Sequence, residues 1–214
     1  MSLAFNAASV SNFGAGVTSL TWSHTTSGLD RALIVGVSYF DAAAVSITGV
    51  TYAGVAMTNI GGATDSSNSR AQLWKLSNPA VGANNVIVSF SGGIDGLAGA
   101  VSFTGAQQIT ALLTGTLATA TGSNTTPTVN AVSNPAEIVI DTLVTAFNLV
   151  DATAGAGQTE RWKVFNGPCG AGSTEAGATS TTMSWTLSSS SPWALIAIAV
   201  KPKSSGVFFR AGVL

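Results

Sequence analysis

Charge is what this sequence has least of. Lys, Arg, Asp and Glu together make up 8% of its 214 residues, with eight basic side chains against nine acidic ones, where an ordinary soluble protein carries roughly 25%. Eight scattered basic residues exclude the basic stripe that nucleic-acid binding needs. A net charge near zero also leaves little repulsion between copies, so self-association and a surface partly covered by neighbours are expected, the alternative being a neutral Ser-, Thr- and Asn-rich surface that is simply soluble. The single cysteine, Cys169, excludes an intramolecular disulfide and a thiolate metal cluster. The single histidine, His24, means that any histidine-based triad or metal site has to use it. The opening Met1-Ser2-Leu3-Ala4-Phe5-Asn6 has neither a basic nor an apolar region of the kind a secretory signal shows, and the longest strongly apolar run, 194–200, is far short of the roughly 20 residues of a membrane helix. Synthesis and folding in a cytoplasm, without membrane association, are the expectation.

What is present is material for strands and turns. Hydrophobic residues make up 46% of the chain and there are 24 glycines. Apolar or alternating runs of strand length recur, each closed by Gly, Pro, Asn, Asp or Ser. In 18–24, Leu20, Trp22 and His24 share one face and Ser19, Thr21 and Ser23 the other. The run 31–40 is apolar on both faces, as a central covered strand is. Residues 45–52 and 55–57 read as a hairpin turning at Ala53-Gly54. Further strands are expected at 70–76, 85–90, 96–104, 128–132, 137–147, 160–165, 181–187 and 193–201. The stretch 112–126 fits either an edge strand or a long surface loop. The pattern predicts an antiparallel β-sandwich of jelly-roll type with about 10–12 strands. An internal echo runs from Leu20-Thr21-Trp22 through Ala32-Leu33-Ile34-Val35 to Met183-Ser184-Trp185 through Ala194-Leu195-Ile196-Ala197, and it sets Trp22 against Trp185.

No catalytic constellation stands out. His24 has Asp30 and Ser19, Ser23 and Ser27 nearby, without a nucleophile elbow. Cys169 has no second histidine to pair with and reads as a small buried group. Glu137 and Asp141 share a strand face, but four residues along a strand is roughly 13 Å, too far for a glycosidase pair. The turn Asp65-Ser66-Ser67-Asn68-Ser69 offers oxygen ligands to a hard cation but one carboxylate, and reads as a polar turn. Asn124-Thr125-Thr126 is a glycosylation sequon that matters in secreted proteins alone. No enzyme activity, metal or cofactor is expected. Trp74, Trp162 and Trp193 would form a sugar-stacking platform if exposed, and core residues otherwise.

The chain divides into an extended N-terminal segment (1–14), a sandwich (15–203) and an apolar C-terminal tail (204–214). The tail residues Phe208, Phe209, Arg210, Val213 and Leu214, with Phe5 and Phe13 at the other end, are the candidate partner-binding residues. Each set either folds back on its own core or docks on a neighbouring subunit, as short extended segments do by strand addition.

The runs Leu20-Thr21-Trp22-Ser23-His24-Thr25, Asp30-Arg31-Ala32-Leu33-Ile34-Val35-Gly36-Val37 and Val50-Thr51-Tyr52-Ala53-Gly54-Val55-Ala56-Met57 resemble a recurrent β-domain of phage and bacterial surface proteins. Gln72-Leu73-Trp74-Lys75-Leu76-Ser77-Asn78-Pro79 and Ala98-Gly99-Ala100-Val101-Ser102-Phe103-Thr104-Gly105 extend the resemblance over most of 15–201. It implies a structural virion component, most nearly a capsid cement or decoration protein made in the host cytoplasm, bound to the major capsid protein on the phage head as a homotrimer. A carbohydrate-binding sandwich module with a glycan partner, and a tail or fibre component, are the competing expectations. The cement reading expects buried tryptophans; the glycan reading expects an exposed aromatic platform.

Overall fold

The computed structural model describes residues 2–40, 45–108, 111–165 and 167–204. It has sixteen strands, and none of its described residues is helical. The first eight are β1 (Ala4–Val10), β2 (Gly14–Thr26), β3 (Ala32–Phe40), β4 (Ile47–Tyr52), β5 (Val55–Ala56), β6 (Thr58–Thr64), β7 (Ser69–Ser77) and β8 (Gly82–Thr104). The second eight are β9 (Leu113–Asn124), β10 (Thr128–Val132), β11 (Ile138–Asn148), β12 (Ala152–Ala154), β13 (Thr159–Phe165), β14 (Pro168–Ala176), β15 (Ser180–Leu187) and β16 (Ser191–Val200). All pairings are antiparallel.

Each set of eight is a jelly roll. In the first, β8 passes between two sheets: residues 82–90 pair with β2 and β4, and residues 95–104 pair with β3 and β1. One sheet therefore runs β1-β8-β3-β7 with β6 beyond, and the other β2-β8-β4-β5. These are the two four-strand orders produced by folding a pair of Greek keys into a roll. The second set repeats them, with β9-β16-β11-β14 and β13 beyond in one sheet and β10-β15-β12 in the other. Where β8 is continuous, the second roll uses separate strands β15 and β16 joined through 188–190. Every pairing of the first roll except the β4–β5 hairpin has its counterpart in the second.

The sequence accounts for these placements. β3 and β16 are covered on both faces, and both are apolar along almost their whole length. β2 lies in an outer sheet, so Leu20, Trp22, His24 and Thr26 are buried while Ser19, Thr21, Ser23 and Thr25 are exposed. At the β4–β5 turn Ala53 and Gly54 both take positive φ, 51° and 77°, which is the two-residue hairpin geometry that matches strand twist.

Three cores follow. The first lies between the sheets of the first roll and holds Trp22, Val35, Tyr39, Tyr52, Trp74 and Phe90. The third lies inside the second roll, around Leu143, Met183, Trp185 and Leu195. The middle one joins the rolls through Ile34, Leu73, Phe103, Ile140, Trp162 and Ile198. Across it β1 opposes β13, β8 opposes β14, β3 opposes β11, β7 opposes β16 and β6 opposes β9. Exchanging the two rolls maps this list onto itself, which is the pattern of an approximate two-fold axis through β3 and β11.

The sandwich expected from sequence is thus present twice. The strand total exceeds ten to twelve because β1, β6, β12 and β14 carry weak periodicity. The segment 112–126 is an edge strand, β9. The internal repeat is real, but its equivalence differs from the echo: β2 corresponds to β10 and β3 to β11, so Trp22 and Trp185 occupy different positions in their rolls.

Candidate functional site

Phe5 and Phe13 both engage their own chain. Phe5 sits on β1 and is 37% exposed, with the Arg161 guanidinium 3.8 Å from its ring centroid. That distance is in the range of a cation–π contact. Phe13 packs half-buried against the middle core, its ring in the space left by Gly167. Phe208, Phe209, Arg210, Val213 and Leu214 lie outside the described residues.

The point from which that tail departs is well defined. Pro202 bridges Ala106, the Lys203 amide donates to Gly105 O at 2.7 Å, and the Gln107 side chain donates to Ser204 Oγ at 3.0 Å. Lys203 Nζ stands 2.8 and 2.9 Å from the Asp30 carboxylate oxygens. At this end of the first roll Arg31 ties two loops together, donating to Pro79 O, Gly28 O and Asn78 Oδ1 at 2.7–2.8 Å. Those loops present Leu29 and Val81 to solvent, 64% and 62% exposed.

A second feature flanks β9. A groove of about 650 Å³ runs between β9 and β10, lined by Ala118, Thr119, Ala120, Thr128, Val129, Asn130 and Thr182. β9 is the last strand of its sheet and β10 the last of its own, so two unpaired edges face the groove. The equivalent gap in the first roll, between β1 and β2, is closed by side chains. There Trp22 Nε1 donates to Ser9 Oγ at 3.0 Å, and Ser9 Oγ lies 2.8 Å from His24 Nδ1.

That contact gives His24 a serine partner fifteen residues away in sequence, which local spacing could not indicate. Ser9 Oγ accepts from Trp22 and shares a hydrogen bond with Nδ1, the imidazole tautomer setting which of the two donates. Nε2 is buried with no hydrogen-bond partner, and burial pushes the imidazole down to about 4. Trp22, Ser9 and His24 thus form one hydrogen-bonded chain that links β1 to β2.

Asp141 is the other buried ionisable group. It is fully buried, with Oδ1 accepting from the Ser173 amide (2.6 Å) and hydroxyl (3.0 Å) and Oδ2 from Trp185 Nε1 (2.7 Å) and Gln158 Nε2 (3.4 Å). Burial pushes its carboxyl up to about 7; the Trp185 and Ser173 bonds pull the other way, and the Glu175 charge adds to the rise. Gln158 extends the network by accepting from the Ser184 amide at 2.6 Å, tying β14 and β15 together across the core. Glu137 has separate partners, Thr114 Oγ1 and the Asn134 amide. Asp65 caps its turn, Oδ1 accepting from the Ser67 and Ser69 amides at 2.7 and 3.0 Å. Cys169 is fully buried and burial pushes its thiol up to about 12. Among the described residues no three His, Cys, Asp or Glu side chains are grouped to hold a metal ion.

All five tryptophans are buried: Trp22, Trp74, Trp162, Trp185 and Trp193 are each 9% exposed or less. Trp162 spans the middle core, where a Cβ on Gly99 or Gly172 would overlap its indole. Comparison with protein-family models, with curated proteins and with solved structures finds no match to this chain.

Proposed function

We propose that this chain is a non-enzymatic structural protein of a virus particle, a capsid cement or decoration protein that binds the surface of a phage head and stabilises it. Its partner is the major capsid protein, its working form a homotrimer, and its C-terminal tail the docking segment. The burial of all five indoles carries this choice over a glycan-binding module, whose affinity comes from aromatic faces held in the open. The groove beside β9 offers hydroxyl and amide groups but no aromatic ring. The scarcity of charge and the exposed aliphatic residues Leu29, Val55, Val81, Val132 and Leu149 also favour protein neighbours.

The test is light scattering on the full-length protein and on a version ending at Lys203, each then mixed with phage heads that lack the protein. The expected result is a trimer that coats the heads, with coating lost on truncation. A monomer that ignores the heads and is retained by polysaccharide overturns the proposal.

A further inference from the structure

We infer that the groove between β9 and β10 receives the C-terminal segment of a second copy of this chain, added as a strand along the outer edge of β9. The inference rests on the reading of the tail as a docking segment and names its receptor.

Three observations point to the edge. First, residues 118–124 of β9 contain no charge and no proline, and their pairing with 191–197 of β16 runs without a register shift. Three other edges are blunted: β13 carries Glu160, Arg161 and Lys163, β6 is interrupted between Asn59 and Gly61, and β1 is covered by Trp22, His24 and Arg161; β2 is neutral over 19–26, but side chains close the gap between it and β1. A long neutral edge is a template for another strand. Second, the groove beside it has a volume of about 650 Å³, and its apolar lining is Ala118, Ala120 and Val129. Third, the tail has the matching pattern. As a strand, Val207, Phe209, Ala211 and Val213 fall on one, wholly apolar face, and Arg210, the one charged side chain after Lys203, falls on the other with Phe208 and Leu214.

Reach assigns Phe208 and Phe209 to a different molecule. Ala118 pairs with Ala197, seven positions before Ser204, and residues 200–204 run past the Leu113 end of β9. Seven residues of strand cover roughly 23 Å. Phe208 and Phe209 lie four and five residues past Ser204 and extend at most about 14–18 Å from it, even with an immediate reversal. A neighbouring copy has no such limit. Each copy then carries one tail and one groove, and three such contacts close a trimer if the rotation between copies is three-fold.

The test uses the full-length protein with p-benzoylphenylalanine in place of Phe209, mixed in equal amounts with ¹⁵N-labelled protein and illuminated. Mass spectrometry is expected to find the probe joined to residues 118–124 or 128–130 of the heavy copy. The variant Thr119→Arg, at an exposed position in the groove, is expected to cut that product at least tenfold and reduce the particle to a monomer that still unfolds in one cooperative transition. Cross-links confined to the same copy, or to surfaces away from β9, overturn the inference. So does a trimer that persists in the groove variant. Head coating is read separately: coating that requires the tail but survives the groove variant discards the groove and keeps the capsid role, whereas groove cross-links without head binding do the reverse.

Discussion

Gly36 on β3 and Thr142 on β11 face each other where the two rolls meet, and a Cβ on Gly36 would overlap Thr142 Oγ1. The two residues occupy corresponding positions in their rolls and lie where the approximate two-fold passes. There the close approach of the two central strands is made by one side chain from one roll and none from the other. The same division of volume recurs beside it, where Gly99 and Gly172 make room for Trp162.

Gly36→Ala is therefore expected to destabilise the protein by about 1–3 kcal/mol, the usual cost of overpacking a filled core. Adding Thr142→Ala should recover at least half of that loss, measured as the coupling in a double-mutant cycle of denaturation midpoints. Independent, additive effects would show that the rolls do not meet at this pair.

Asp141 and His24 give stability opposite pH slopes. Asp141 has a folded value of about 7 against 3.8, so its contribution is full below pH 3.8 and is lost as pH rises through 7. For His24, about 4 when folded against 6.5, the contribution is full above pH 6.5 and is lost as pH falls through 4. Relative to wild type, Asp141→Asn should make the melting temperature climb more steeply between pH 4 and 7, and His24→Gln should make it fall. Unchanged slopes in both variants would dismiss both assignments.

Cys169 should report unfolding. Buried, and with its thiol pushed up to about 12, it is expected to resist a disulfide reagent in the native protein and to react fully in denaturant. Prompt reaction under native conditions would mean that the second roll opens readily.

With all five indoles buried, fluorescence emission should lie to the blue of free tryptophan and resist quenching by iodide until the protein unfolds. Addition of soluble glycans should leave it unchanged. A quenchable population that glycan protects would bring back the carbohydrate-binding reading.

Much of the fold was legible because alternation and burial agree. β2 shows its inner face as Leu20, Trp22 and His24, and the apolar runs of β3 and β16 announce central strands. β14 was not legible: Gly170 and Gly172 are there because Leu97 and Trp162 fill their side-chain space, and that reason lies on other strands. Ser91-Gly92-Gly93 reads locally as a turn, yet β8 continues through it. The site was less legible still. The Ser9–His24 and Asp141–Trp185 contacts join residues 15 and 44 positions apart, and the β9 groove depends on which edges the fold leaves unpaired.

The order of strands along the chain also bears on how the protein emerges from the ribosome. β1, β2 and the sheet side of β4 all pair with β8, the last strand of the first roll to be made. Until β8 has cleared the exit tunnel, to residue 96 for β2, residue 90 for β4 and residue 104 for β1, these pairings cannot form and the apolar faces they cover stay in water. β9, β10 and β12 wait in the same way for β15 and β16. Closing such distant pairings is slow, so each roll passes through a period of vulnerability to chaperones, proteases and its own nascent neighbours that ends when its final strand arrives.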